Sequence, residues 1–188
     1  VRGSTAIGER STASGERSTA MGYQTTASGV ISTALGSDTT ASGNYSTAMG
    51  FVATASGVLS TAMGYQSTAS GTFSTAMGEG SVASGAYSTA MGRGNEASGW
   101  TSTAMGTGST ASGDYSTSMG DSTTASGTVS TAIGYLSTAS DYGSLVIGVN
   151  NLIGSTITSD ANNLDLDNTA FVIGNGADAG NRSDALTV

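Results

Sequence analysis

The sequence predicts an all-β fold, a parallel β-roll (solenoid) of 14-residue coils, and three observations predict it. A glycine recurs every seven residues from Gly8 to Gly134. Around these glycines two phrases alternate strictly, Ser18-Thr19-Ala20-Met21-Gly22 and then Thr25-Thr26-Ala27-Ser28-Gly29, so the true period is fourteen. Within each phrase the side chains alternate with period two around a β-branched threonine, which is strand chemistry. A coiled coil is refused despite the heptad spacing, because each glycine in a helix costs about 1 kcal/mol relative to alanine. A flexible Gly/Ser linker is refused as well, since a disordered tract has no reason to keep one residue type in one column.

Each half-repeat reads as a strand of about five residues, closed by a glycine and a two-residue turn. Glycine suits such a corner because it takes positive φ without strain. Two strands and two turns make one coil, and coils stack at the ~4.8 Å strand spacing. In Tyr45-Ser46-Thr47-Ala48-Met49-Gly50, alternation puts Tyr45, Thr47 and Met49 on one face and Ser46, Ala48 and Gly50 on the other. Only the Ser-Ala-Gly set is small enough to fill so narrow a coil. The interior serines then need hydrogen-bond partners, which are expected along their own ladder.

The outward sets of the two strands differ. All seven methionines fall in one column, completed by four aliphatic residues: Ile7, Met21, Leu35, Met49, Met63, Met77, Met91, Met105, Met119, Ile133 and Ile147. Burial of each large apolar side chain is worth about 1.5–3 kcal/mol, and an exposed stripe of this length marks an interface. Obligate self-association along the methionine strand is therefore expected; the period leaves the number of chains open. The other strand offers Thr26, Ser28, Thr40, Thr54 and Thr68 outward, a polar candidate surface for repetitive, multivalent contact. Arg10, Arg17, Tyr23, Phe51, Tyr65, Glu79, Arg93, Trp100, Asp114 and Asp121 are placed in turns. Of these, Arg93 and Trp100 are of the types enriched at binding hot spots.

The repeat degrades after Thr138-Ala139-Ser140-Asp141, where Asp takes the glycine position as a residue tolerant of left-handed geometry. Residues 1–148 are therefore one roll, 149–167 an out-of-register insert, and 168–188 a last coil in which Phe171-Val172-Ile173-Gly174 restores the phrase. Atypical terminal repeats of this kind cap a solenoid. Since residue 1 enters in mid-repeat, the chain reads as a piece of a longer protein.

Composition excludes several functions. There is no His, Cys or Lys, which removes the usual acid/base, thiol, zinc and Schiff-base chemistry. A net charge of -8 argues against nucleic-acid binding, and no apolar stretch is long enough for a membrane span. Asp160, Asn162 and Asp165 loosely match a calcium loop, but Phe171 stands where its terminal Glu belongs and its Gly is missing, so turn chemistry accounts for them. No cofactor or metal is expected.

The alternating Ser-Thr-Ala-Met-Gly and Thr-Ala-Ser-Gly phrases, with the variant Ser130-Thr131-Ala132-Ile133-Gly134, strongly resemble the YadA-like head of trimeric autotransporter adhesins. The resemblance covers residues 4 to about 148. It implies a left-handed roll assembled as a homotrimer, the apolar strands facing the threefold axis. It also implies display at the outer membrane of a Gram-negative bacterium, with a stalk and membrane anchor following the head. Heads of this family bind collagen, fibronectin or laminin, or host-cell receptors, or one another in autoaggregation. In its light residues 149–167 read as a head insert and Arg182–Val188 as the lead-in to a neck. Two other classes stand beside the adhesin: a structural spacer in a surface fibre, and an ice-binding solenoid using the Thr26/Thr40/Thr54/Thr68 array. Val82 and Glu96 interrupt that array.

Overall fold

The computed structural model describes residues 2–151, 161–163 and 168–188. These form two compact units, Val1–Gly94 and Asn95–Val188. In the first, long strands from Thr5–Ile7 through Thr47–Phe51 to Thr89–Arg93 stack as one parallel series. Short strands from Thr12–Ala13 through Thr54–Ala55 to Val82–Ala83 form a second series. Neighbours in each series are one coil apart and in register, as in Thr61↔Thr75, Met63↔Met77 and Thr54↔Thr68. This is a parallel β-solenoid of fourteen-residue coils. The second unit repeats the pattern with long strands Thr103–Thr107, Thr117–Asp121, Thr131–Tyr135 and Leu145–Val149, and short strands from Glu96–Ala97 to Thr138–Ala139.

The inside is as small as the side chains permit. Ala48, Ala55, Ala62 and Ala69 are fully buried, as are Ser60 and Ser67 to within 1%. Inward Ser-Ala and outward Thr-Met follow the alternation read from the sequence.

Four local features depart from it. First, the half-repeats are unequal: the methionine-bearing strands have five residues and the others two. The short ladder stops because Ser56 and Gly57 both donate to the Ala69 carbonyl (2.9 and 3.2 Å), which bends the backbone away after Ala55. Second, alternate glycines of the seven-residue series take the expected positive φ, as at Gly50 (122°) and Gly64 (117°), but they lie within the long strands and do not themselves turn the corners. The left-handed conformation falls two residues later, on Tyr45 (φ 61°), Val52 (56°), Leu59 (58°) and Gln66 (52°), and so on every seventh residue. Corner N–H groups donate to the coil before, Leu59 to Asn44 O at 2.9 Å and Gln66 to Phe51 O at 2.9 Å, a bond that offsets the ~1–2 kcal/mol cost of the conformation.

Third, the strand and turn assignments shift by this same offset. Tyr45, Ile31 and Leu59 belong to the corners, while Tyr23, Phe51, Tyr65, Glu79, Arg93 and Asp121 close long strands. Fourth, the interior serines of the methionine phrase do not bond along their ladder: the hydroxyls of Ser46, Ser74, Ser88, Ser102, Ser116 and Ser130 have no hydrogen-bond partner, and others bond backward. Ser18, Ser32 and Ser60 donate to the carbonyls of Gly15, Gly29 and Gly57, each at 2.7 Å. Ladder bonding occurs instead in the other column, where Thr25 donates to Ser11 and Thr123 to Ser109, both at 2.9 Å.

The second unit ends in a side-chain cap. Phe171–Asn175 adds in parallel to Leu145–Val149 with Ile147↔Ile173, and Asp184–Thr187 closes antiparallel on Phe171–Asn175. The Asn151 amide lies against Thr138–Ala139. It accepts from Thr138 N–H (2.8 Å) and donates to Thr138 O (3.0 Å). Arg182 reaches the Leu136 and Asn151 carbonyls at 2.9 and 3.2 Å. Asp141 is 2% exposed, and its φ is not left-handed, so left-handed tolerance does not explain it. Its carboxylate accepts from the Thr169 N–H at 3.0 Å. Replacing Asp141 with Ala removes this acceptor, an expected cost of about 1–3 kcal/mol. Hydrogen exchange should quicken at Thr169 and Val172 and stay unchanged through the first unit, with Asp141→Asn intermediate.

Candidate functional site

The outward face of the long strands is built from three columns. Threonines such as Thr47 and Thr61 lie half-buried, followed by the methionine column and then the strand-closing residues. In the first unit Ile7, Met21, Leu35, Met49, Met63, Met77 and Met91 pair in register one above the next. In the second, Met105, Met119, Ile133 and Ile147 do the same and Ile173 extends them. Met21 and Met63 are 39% and 36% exposed although each is stacked between two neighbours. The alternating alanines beside them are at 0%, so the apolar column faces away from the coil interior.

The short-strand face is polar. Thr26, Thr40, Thr54 and Thr68 lie half-buried in one column, and Ser28 is exposed beside it. Val82 continues the column in the first unit, and an exposed Glu96 occupies the corresponding place in the second. The column is one threonine wide, since each short strand has only two residues.

Strand-closing and corner side chains make ladders that periodicity in glycine did not reveal. Phe51 and Tyr65 stack at 5.5 Å with rings 7° from parallel, and Phe73 and Tyr87 do so at 4.8 Å. These pairs are fourteen residues apart, and that spacing is the signal through which they could have been found. Arg93 closes a long strand, with its guanidinium 3.6 Å from Glu79. Trp100 stands in the turn that leads into the next long strand. It donates its backbone N–H to Asp114 Oδ1 (2.8 Å) and packs edge-on against Tyr115 at 4.7 Å.

Among the described residues no pocket opens, and no group of three or more His, Cys, Asp or Glu could hold a metal ion. No helix among them is long and apolar enough to cross a membrane. Asp160 and Asp165 lie outside the described residues; Asn162 accepts from the Thr128 hydroxyl at 3.2 Å. The Asn181 side-chain amide, with the N–H groups of Gly180 and Asn181, holds the Asp178 carboxyl below its ordinary value, a turn-stabilising arrangement. What each unit offers a partner among the described residues is repetitive strand and corner surface.

No curated protein matches the chain. A family model described as the YadA head domain repeat, two copies to the model, matches residues 2–25, 27–53, 55–81, 69–95, 97–123 and 125–151. Those segments take in the coils of both units and most of the chain's length, and on that ground this chain belongs to the YadA head family.

Proposed function

We propose that this chain is the head of a trimeric surface adhesin, three left-handed rolls packed with their methionine-bearing sheets around a common axis. Membership of the YadA head family implies an adhesin-type, surface-displayed role. The observation that carries the assembly is the in-register apolar column, more than a third exposed at Met21, Met63 and Ile133 in the single chain. A stripe of that kind is covered in the working protein. Residues 1–148 serve as the roll, 149–167 as the insert, and 168–188 as the last coil and lead-in to a neck. Its place is the outer surface of a Gram-negative bacterium.

With the methionine sheets inside, the Thr-Ser face and the corners remain for contact with a matrix protein, a host-cell receptor or another head. Repetition suits them to fibrous ligands, since weak sites linked in series gain avidity without any one being strong. Sedimentation of the chain should give a particle of three 18.2 kDa chains; a monomer refutes the assembly. Solid-phase binding to collagen, fibronectin and laminin should be saturable. Trp100→Ala should weaken it several-fold if the corners make the contact. A trimer that binds neither matrix nor cells would be a spacer instead.

A further inference from the structure

The methionine column of the first unit is flanked by two unlike corner ladders. On its leading side stand the left-handed corner residues that precede each long strand, among them Tyr45, Leu59 and Tyr87, at 53%, 44% and 51% exposure. On its trailing side stand the residues that close the same strands, Phe51, Tyr65 and Arg93. Large apolar side chains at the leading corners cost doubly, once for facing water and once for a positive φ that favours Gly, Asn or Asp. Such outliers persist where something else makes use of them.

We infer that the leading ladder of each chain docks against the trailing ladder of the next, so that Tyr45 meets the neighbouring copy's Phe51, Leu59 its Tyr65, and Tyr87 its Arg93. This rests on the trimer reading above. A closed ring of three identical chains uses a heterologous contact and has no translation along its axis. Surfaces that touch must therefore lie at nearly the same height. A coil climbs ~4.8 Å, so the six residues from a leading corner to its strand's end climb only about 2 Å. That pairs each leading corner with the strand end of the same coil in the next chain. Three rungs match in that register, ring on ring for Tyr45 and Phe51, aliphatic on ring for Leu59 and Tyr65, and ring on guanidinium for Tyr87 and Arg93, while Ile31 meets Ser37 and Phe73 meets Glu79. The contact also sets the axial register of the three chains, which a column of near-identical methionines leaves free to slip by one coil.

The chain has no cysteine, so disulfide trapping is clean. Within one chain Tyr45 precedes and Phe51 ends the strand Thr47–Phe51, whose length alone is about 13 Å at ~3.3 Å per residue, beyond the ~7 Å a disulfide spans. Under mild oxidation, Tyr45→Cys/Phe51→Cys should shift nearly completely to a covalent three-chain species on a non-reducing gel. Leu59→Cys/Tyr65→Cys repeats the test one coil higher, in case the first pair disturbs folding. Tyr45→Cys alone should stay unlinked, and Tyr45→Cys/Glu79→Cys, more than two coils out of height, should link at least tenfold less. Linking by Tyr45→Cys alone means a twofold, like-to-like contact and overturns the proposal. So does an unlinked particle that still sediments as three chains. A variant-free chain that sediments as a monomer refutes the trimer reading itself.

Discussion

Replacing Met63, Met77 and Met91 together with glutamate should abolish assembly and leave unfolded or aggregated chains. Each methionine buried at a shared axis is worth about 1.5–3 kcal/mol, and the substitution exchanges that gain for a carboxylate that must be desolvated. The three positions are consecutive rungs, Met63↔Met77↔Met91, so the new charges also stand directly above one another within a chain. Like charges on adjacent strands repel in any assembly state, and a control must separate that effect from a lost interface. Thr40→Glu, Thr54→Glu and Thr68→Glu supply it, being three consecutive rungs of the outward short-strand column. Glu96 already stands exposed at the equivalent place in the second unit. The threonine variant should sediment as the unmodified chain does and keep its β-sheet circular dichroism. A methionine variant that behaves as a well-folded soluble monomer would sink the interface assignment, because the solenoid would then be stable with its apolar column in water.

The sorting of side chains was legible because it depends on volume alone. Small side chains line the inside of a coil almost throughout, with Thr25, Thr39, Asn95 and Val146 the larger exceptions, so the place of Ala48 and Met49 followed from their sizes once the period was known. The register of the last coil was legible for the same reason, Phe171-Val172-Ile173-Gly174 repeating the pattern of Leu145-Val146-Ile147-Gly148. What escaped depends on how closely backbones approach. A two-residue strand and a five-residue strand carry the same Thr-Ala signature, and only the shared carbonyl at Ala69 shows where the short one ends. The left-handed corners were hidden because Tyr45, Val52 and Leu59 are residue types that propensity assigns to strands. At the cap, Asn151 and Arg182 act across 13 and 46 residues of sequence, and nothing local to them announces their partners.

Three glycine-to-alanine substitutions should separate the two reasons for glycine in this fold. Gly80 sits at a corner with φ 60° and open space around the position of a Cβ. Its column also holds Val52 and Gln66, so alanine there should cost about 1 kcal/mol, a few degrees in melting temperature. Gly57 has no positive φ, yet a Cβ on it would overlap the Gly71 carbonyl of the next coil. That oxygen belongs to backbone held by coil-to-coil hydrogen bonds, which fix the ~4.8 Å spacing, and it cannot withdraw without breaking them. Gly57→Ala should therefore cost roughly 3 kcal/mol or more, at the upper end of overpacking penalties. Gly64 combines both conditions, φ 117° and an overlap with the Gly78 carbonyl, so Gly64→Ala should be the most damaging. The predicted order of melting temperatures is Gly80→Ala above Gly57→Ala above Gly64→Ala. If glycine served only to turn corners, Gly57→Ala would be the mildest of the three, since its φ asks nothing of glycine. A Gly57→Ala chain that melts with the unmodified protein would mean that coils can part locally. The columns of glycine would then need another cause than the closeness of one coil's backbone to the next.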